Sequence, residues 1–192
     1  MLNKDFHTVF QKEVFQTLAR CVENLSLESY LVGGFVRDHL LGRVKAKDID
    51  VVAVGSGIEL ARAVQKELPG AKAVQVFKSY GTAMVQWRDI SLEFVGARKE
   101  SYSKESRNPQ ITKGTLEDDQ NRRDFTINTL AVSLNAKDKG TLIDPFNGLE
   151  DLQNGIIRTP MEPGITYSDD PLRMLRAVRF ASQMNFEIEK QS

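Results

Sequence analysis

Two aspartates separated by one residue, Asp48 and Asp50, form the acidic pair best suited to hold a metal ion. They lie at the start of the apolar stretch 49–54, which predicts a β-strand. Residues two apart in a strand point to one face, so the carboxylates would repel each other unless a cation lay between them. Carboxylate oxygens completed by phosphate and water suit Mg²⁺, and two such ions can clamp a phosphoryl-transfer transition state. Glu93, in the predicted strand 90–95, is the candidate third carboxylate.

Two glycines and an arginine precede this pair and favour a phosphate-binding turn. Gly33 and Gly34 end the short predicted strand 30–32, where missing side chains let the backbone approach a triphosphate. The following helix would aim free N–H groups at the same point, and Arg37, one turn into it, could reach the phosphates. Singly, the glycines could be a plain tight turn and Arg37 a surface charge. Their order, together with the two aspartates, favours the functional interpretation.

A second group of charged residues opens the predicted helix 125–131. It consists of Arg122, Arg123 and Asp124, of which Arg123 could meet a triphosphate or a ribose. Asp124 could instead be only a favourable charge at a helix N-terminus, and Arg122 only a solvated side chain. Without the other motifs, this one would favour the structural interpretation.

A third group begins a helix near the end of the chain, with arginines at every third position after Asp170. Steps of three spiral around a helix, so Asp170, Arg173, Arg176 and Arg179 cannot all face one point, although they could line a groove. The alternative is an ordinary helix with an N-terminal acid, a pair between Asp170 and Arg173, and apolar side chains packed inward. Those apolar side chains are Leu172, Leu175, Val178 and Phe180.

The hydrophobic pattern predicts an α+β fold in which the strands come first and the helices last. Residues 97–121 are polar and predict a long, mobile and functional loop, and the pattern after residue 149 is helical. The predicted strands are 30–32, 49–54, 73–77, 82–87, 90–95 and 132–134. The predicted helices are 5–25, 35–41, 57–68 and 125–131.

Composition limits the partners that this chain can have. Its 192 residues carry 26 basic and 26 acidic side chains, so any contact with RNA must be local. Cys21 is the only cysteine, which excludes a disulfide within the chain and predicts a buried thiol. No apolar run is long enough for a membrane span and the N-terminus lacks a secretory pattern, so we expect a cytoplasmic protein without membrane contact. The oligomeric state stays open.

With these motifs in view, the sequence resembles the class II family of tRNA nucleotidyltransferases and bacterial poly(A) polymerases, whose catalytic domain is a DNA polymerase beta-like palm. The resemblance runs from about residue 30 to residue 180. It rests on the glycine–arginine turn with its two aspartates, on the segment 122–128, and on Asp170 with the arginines after it. The segment 143–152 is also similar to the family's link from head to neck. One small departure is Thr129, where the family usually has alanine.

The resemblance implies a fold and its boundaries. A nucleotidyltransferase head, with a mixed sheet of about five strands flanked by helices, would occupy 1–148. The start of a helical neck would occupy 149–192. The chain is then expected to be truncated, without the body and tail that hold the tRNA acceptor arm in the family.

The resemblance also implies an activity, the Mg²⁺-dependent transfer of CMP and AMP from CTP and ATP to the 3′ end of tRNA. Asp48 and Asp50 would hold the metal, and Asp170 with Arg173 would act as a protein template for the base. Alternatives are a poly(A) polymerase, an enzyme adding only CC or only A, a nucleotidyltransferase for a small molecule, and a silent nucleotide- or RNA-binding module. The implied nucleotide-binding residues are Gly33, Gly34, Arg37, Arg123, Asp124, Asp170, Arg173, Arg176 and Arg179.

Overall fold

A mixed sheet of seven strands forms the centre of the computed structural model, which describes residues 2–43, 47–78, 81–103 and 106–192. The helices are α1 (His7–Phe10), α2 (Glu13–Asn24), α3 (Gly34–Leu40), α4 (Gly57–Glu67), α5 (Leu116–Asn121), α6 (Gly148–Asn154), α7 (Pro163–Asp169) and α8 (Leu172–Met184). The strands are β1 (Ser29–Val32), β2 (Asp48–Ala53), β3 (Gln75–Phe77), β4 (Thr82–Trp87), β5 (Ile90–Gly96), β6 (Arg98–Ser103), β7 (Ser106–Lys113), β8 (Ala131–Ser133), β9 (Leu142–Ile143), β10 (Ile156–Ile157) and β11 (Glu187–Ile188).

The order of the strands places β2 near the middle of the sheet. The order is β3-β4-β5-β2-β1-β8-β9, in which β2 and β5 are parallel and the other neighbours are antiparallel. The register sets Asp50 between Val32 of β1 and Glu93 of β5. An acidic residue of a central strand therefore lies beside the turn that follows β1.

Alternation along β2 separates the two faces of the sheet. Ile49 and Val51 are buried in the main hydrophobic core, which α2 and α4 cover. Asp48 and Asp50 alternate with them and therefore project from the opposite face. Val52 also lies on that opposite face, in a small second cluster with the ends of β1 and β8. One face of the sheet thus stabilises the fold while the other carries the acids.

The helix α8 packs on the sheet domain through an edge-to-face contact between two aromatic rings. The centroids of Phe125 and Phe180 lie 5.8 Å apart, and both rings are buried. The inward positions of α8 follow helical spacings of four, three and four residues. They are Arg173, Ala177, Phe180 and Met184.

The alternative interpretation of this segment, an ordinary helix with Leu172, Leu175, Val178 and Phe180 packed inward, holds only for Phe180. Leu172, Leu175 and Val178 are all exposed. The reason is that Arg173 occupies an inward position, held there by hydrogen bonds to two backbone carbonyls. The rotation that buries Arg173 turns these three apolar side chains outward.

The predicted long loop 97–121 is also wrong. Its backbone forms β6 and β7, which pair antiparallel as a separate two-stranded sheet, and then α5. The sequence of these two strands shows no alternation of apolar residues, so the pattern that reveals a strand is missing. A capping box between Thr115 and Asp118 starts α5.

The predicted helix 125–131 is a 3₁₀ turn limited to Thr126–Asn128. Side chains compete with the backbone for hydrogen bonds here. Asp124 Oδ1 accepts from the backbone N–H of Phe125, at 2.9 Å, and from the side-chain amide of Asn128, at 3.0 Å. The Thr129 hydroxyl donates to the carbonyl of Thr126. These bonds end the helix after one turn and allow β8 to begin.

Other differences are smaller. The sheet has seven strands where about five were expected, and a break at residues 11 and 12 divides the predicted helix 5–25 into α1 and α2. The segment after 149 contains the short strands β10 and β11 besides its helices. Cys21 is buried, as predicted. Within the described residues, no helix has the length and apolar character that a membrane crossing requires.

Asp144 starts α6 by accepting from the backbone N–H groups of Gly148, at 2.7 Å, and Leu149, at 2.9 Å. Replacing Asp144 with alanine leaves these donors without a side-chain acceptor and should lower the free energy of unfolding by about 1 kcal/mol. Urea denaturation measures the change. Gln153→Ala, at an exposed position of the same helix, is the control and should change stability by only a few tenths of a kcal/mol. Equal stability of the two variants would contradict this capping role.

Candidate active site

Three carboxylates lie on neighbouring strands of the open sheet face. Asp48 and Glu93 are exposed, whereas Asp50 between them is partly buried. Burial raises the pKa of Asp50 from 3.8 to about 6; the Arg123 charge acts against this shift, while Glu93 and Asp48 add to it. This carboxylate is thus held in surroundings that favour a compensating cation.

The acids fit a cation site that is completed by other ligands. Among the parts of the chain that the structure describes, no three His, Cys, Asp or Glu side chains converge closely enough to hold a metal ion. A cation beside Asp50 would therefore take one or two carboxylates and complete its coordination with water or phosphate oxygens.

Gly33 allows Asp50 to approach the turn after β1. Its φ of +68° and ψ of −136° belong to a region that residues with a side chain rarely adopt. A Cβ atom at this position would lie 2.9 Å from Asp50 Oδ2 and 3.4 Å from Arg123 Nη1. Glycine is thus required both by the backbone and by the two charged groups that meet over it.

A cavity of about 440 Å³ begins at Asp50 and extends to α8. It brings together most of the residues predicted from the sequence, whereas Asp48, Glu93 and Arg179 do not line it. A second cavity, of about 460 Å³, lies between α2 and the β4–β5 turn and contains none of the predicted residues. The lining of the first is Gly33, Gly34, Arg37, Asp50, Arg122, Arg123, Asp124, Asn128, Asp170, Arg173, Arg176 and Phe180.

Near the glycine turn, Arg37 is held by two partners. Its Nε donates to Asp38 Oδ1 at 2.9 Å, and its Nη1 donates to Asn128 Oδ1 at 2.8 Å. Only 11% of the Arg37 side chain is exposed, which contradicts the interpretation of this residue as a plain surface charge. The guanidinium is fixed at the wall of the cavity.

The arginine pair in the middle of the cavity rests on a buried acid. Asp119 is fully buried and forms ion pairs with both Arg122 and Arg123. Burial alone would raise the pKa of Asp119, but the charges of Arg123 and Arg122 outweigh it and hold that pKa below the ordinary value. Arg122 is therefore not the solvated side chain that the sequence suggested.

Asp124 links the turn after α5 to α8. Its Oδ2 accepts from Nε and Nη2 of Arg176, both at 2.7 Å, and its other oxygen accepts from Phe125 and Asn128. Asp124 is therefore more than a charge at a helix N-terminus, since it ties one wall of the cavity to the other.

At the far end, Asp170 and Arg173 lie one turn apart. Arg173 is buried, and its Nη2 donates to the carbonyl of Arg122 at 2.6 Å while Nη1 donates to the carbonyl of Thr166 at 3.2 Å. Asp170 Oδ1 accepts from the N–H of Leu172 at 3.1 Å. Both side chains line the cavity, and hydrogen bonds to backbone groups hold each of them in position.

Phe180 closes the cavity between the arginines. The guanidinium carbons of Arg37, Arg176 and Arg179 lie 5.2, 5.3 and 4.9 Å from its ring centroid, within cation–π distance. Arg179 approaches the ring from outside and is exposed. The structure thus brings Arg176 into the cavity and leaves Arg179 out of it.

Sequence reasoning missed Asp119 and Asn128 as parts of the site, and it assigned Phe180 only to packing. A signal for Asp119 was present, because an acid three and four residues before two arginines is the spacing of helical ion pairs. Asn128 ends the segment 122–128 that carries the resemblance, but no role was predicted for its side chain, whose partner Arg37 is 91 residues away.

Residues 29–158 match a family model described as the poly A polymerase head domain. The chain belongs to this family. Its curated relatives include an A-adding tRNA nucleotidyltransferase of Aquifex aeolicus, 44% identical over 166 residues, which are 85% of this chain and 19% of the relative. A CCA-adding enzyme of Ligilactobacillus salivarius is 39% identical over 170 residues, which are 88% of this chain and 39% of the relative. The chain thus spans well under half the length of each of these relatives.

Solved structures confirm the α+β nucleotidyltransferase fold of this head domain. A tRNA nucleotidyltransferase complexed with a primer tRNA and an incoming ATP analog matches with a TM-score of 0.78 at 38% identity, over 91% of this chain and 47% of that one. The complex of a CCA-adding enzyme with CTP matches with a TM-score of 0.79 at 34% identity, over 97% of this chain and 40% of that one.

The raised pKa of Asp50 predicts a pH-dependent penalty on folding. The unfolded carboxyl ionises near pH 4 and the folded one near pH 6, so the stabilisation present below pH 4 is lost as pH rises to 6 and beyond. Without divalent metal at pH 8, Asp50→Asn should therefore raise the free energy of unfolding, by at most about 3 kcal/mol. Thermal melting at pH 4 and pH 8 measures the difference.

The control for this prediction is Asp89→Asn, at a side chain that is 74% exposed. It should leave the pH dependence of melting unchanged. An Asp50→Asn variant that melts below the wild type at pH 8 would show that this carboxylate is stabilised rather than penalised in the fold.

Proposed function

We propose that this head domain carries the catalytic site of an enzyme that transfers CMP and AMP from CTP and ATP to the 3′ end of tRNA. The observation that carries the proposal is the single cavity that unites motifs from three distant parts of the chain. The Asp50 carboxylate lies at one end, arginines lie along the wall, and an acid with an arginine lies at the other end. A nucleoside triphosphate has the complementary sequence of groups, since its α-phosphate, outer phosphates and base each need a different partner.

The acidic end suits the reacting phosphate. We assign Asp48 and Asp50 as ligands of Mg²⁺, two ions in the complete complex, with Glu93 as the third carboxylate beside them. When bound, Mg²⁺ lowers the pKa of the RNA 3′-hydroxyl and neutralises charge on the leaving pyrophosphate. Asp50 is held in place by strand pairing on both sides, so it needs no rearrangement to receive a cation.

The arginine wall suits the triphosphate. Arg37 is fixed by two side-chain acceptors, and Arg123 by a side-chain and a backbone acceptor, so little conformational entropy is lost when they bind phosphate oxygens. Gly33 and Gly34 leave room for the phosphates next to the backbone.

The α8 end suits the base. The Asp170 carboxylate can accept from the exocyclic amine that cytosine and adenine share, and the guanidinium of Arg173 can donate to a ring nitrogen or carbonyl. Uracil and guanine would present a carbonyl to the carboxylate. Arg176, tied to Asp124, forms the wall between the base and the phosphates.

The names of the relatives leave two activities for one site. Both A-adding and CCA-adding enzymes are similar to this chain, and poly(A) synthesis is the third activity that the same motifs would serve. Incubation of the purified protein with tRNA that lacks its CCA end, and with tRNA that ends in CC, separates them. CTP followed by AMP incorporation on the first substrate indicates CCA addition, and CTP incorporation alone indicates CC addition. A single AMP on the second substrate alone indicates A addition, and a long AMP tail indicates a poly(A) polymerase.

Replacing Asp48 with alanine should reduce nucleotide transfer by at least about a thousandfold, because a metal ligand next to the reacting phosphate is lost. The fold should persist, since Asp48 is exposed. Extension of radiolabelled tRNA measures the loss, and Asp89→Ala, in the exposed β4–β5 turn, is the matched control. Full activity of Asp48→Ala would refute the metal assignment, and lack of activity in the wild type with any RNA would favour a silent binding module.

Replacing Asp170 with alanine should abolish discrimination between nucleotides. The wild type should bind CTP and ATP more tightly than UTP and GTP by roughly 5- to 150-fold, the range that good base contacts supply. Calorimetric titration in the presence of Mg²⁺ measures the four affinities. Asp169→Ala removes the same charge one position earlier, outside the cavity lining, and should keep the preference. Equal affinities in the wild type would refute the role of Asp170.

A further inference from the structure

We infer that Asp119 is a positioning residue that holds the guanidinium groups of Arg122 and Arg123 in the orientation that receives the phosphates of the nucleotide. The inference rests on the proposed function. Asp119 does not line the cavity, so it acts through the two arginines. Its carboxylate is fully buried, and each oxygen accepts from a different arginine.

The orientation of Arg123 follows from three hydrogen bonds. Its Nε and Nη2 donate to Asp119 Oδ2 at 2.9 and 2.8 Å, and its Nη1 donates to the carbonyl of Asn128 at 3.2 Å. A guanidinium has five N–H donors, so about two remain for a ligand in the cavity. With one edge of the group fixed to Asp119, rotation about the last side-chain bonds is prevented.

Arg122 extends the influence of Asp119 to the other end of the cavity. Its side chain pairs with Asp119 Oδ1, and its backbone carbonyl accepts from Nη2 of Arg173 at 2.6 Å. The carboxylate of Asp119 therefore fixes Arg123 beside the phosphates. Through Arg122, it also fixes the backbone carbonyl that holds Arg173.

Charge alone would argue against an acid at this position. A negative charge directly behind two arginines weakens their attraction for a phosphate anion. If only the electrostatic potential of the cavity mattered, neutralising Asp119 would strengthen anion binding. If orientation matters more, the same change weakens it, in the way that loss of outer-shell partners weakens ligand sites. The two explanations predict opposite signs.

The test is calorimetric titration of the purified protein with inorganic triphosphate and with ATP, in the wild type, Asp119→Asn and Asp118→Asn. Asp118 belongs to the same helix and only caps it, so Asp118→Asn makes the same change in charge without touching the arginines. We expect Asp119→Asn to weaken the binding of both ligands by about 10- to 100-fold, and Asp118→Asn to stay within about twofold. Unchanged or tighter triphosphate binding by a folded Asp119→Asn variant overturns the inference.

Steady-state kinetics separates positioning from a purely structural role. Loss of phosphate contacts made equally in the ground and transition states raises the KM for ATP and leaves kcat nearly unchanged. A purely structural role would reduce the active fraction, which lowers kcat and leaves KM unchanged, and that outcome overturns the inference. If the wild type transfers no nucleotide, the proposed function fails, while the triphosphate titration still decides the role of Asp119.

A measurement on the wild type covers the case in which Asp119→Asn does not fold. The Nε–H resonance of Arg123, assigned through Arg123→Lys, should be resolved and protected from exchange in the protein without ligand. Addition of inorganic triphosphate should shift it only slightly, because the orientation already exists. A resonance that exchanges as fast as those of exposed arginines, and becomes protected only with triphosphate, overturns the inference.

Discussion

The ion pair between Asp124 and Arg176 is the contact on which the rest of the site depends. Both N–H groups on one edge of Arg176 donate to one oxygen of a carboxylate that is almost completely buried. Breaking this pair would leave an uncompensated charge against the core, so the pair fixes α8 strongly in one position. With α8 in this position, Asp170 and Arg173 face the same cavity as Asp50 of the sheet. The contact between the Phe125 and Phe180 rings and the bond from Arg173 to the carbonyl of Arg122 hold the same wall in place.

Four of the arginines that line the cavity are paired with acids of the same chain. Arg37 contacts Asp38, Arg122 and Arg123 share Asp119, and Arg176 contacts Asp124. These pairs explain how a chain with balanced charge can carry a concentrated site for an anion. The arginines give up part of their electrostatic attraction and gain a fixed orientation.

Local patterns were enough to place Asp48 and Asp50 in one strand and Gly33 in the turn before a helix, because strand alternation and tight-turn chemistry act over a few residues. The parallel pairing of β2 with β5 then places Glu93 beside Asp50, as the proposed third carboxylate requires. The hairpin β6–β7 could not be recognised, since its strands pair with each other in a separate sheet and their sequence shows no alternation of apolar residues. The turn after Asp124 failed as a helix because its side chains bind the backbone.

Contacts between distant residues lay outside the reach of the sequence. The bond from Arg37 to Asn128 spans 91 residues, and the pair of Asp124 with Arg176 spans 52. Spacing alone also could not orient α8, where the buried Arg173 displaces apolar residues that a simple amphipathic pattern would place inside.

The position of α8 in the chain has a consequence for biosynthesis. A protein is made from its N-terminus, and structure can form as each part leaves the ribosome. The strands that carry Asp50 and Glu93 are complete well before Phe180 has been added. A nascent chain can therefore fold its sheet while the cavity still lacks one wall, which is completed only when α8 has been made. During translation, the sheet can therefore form before the cavity is complete.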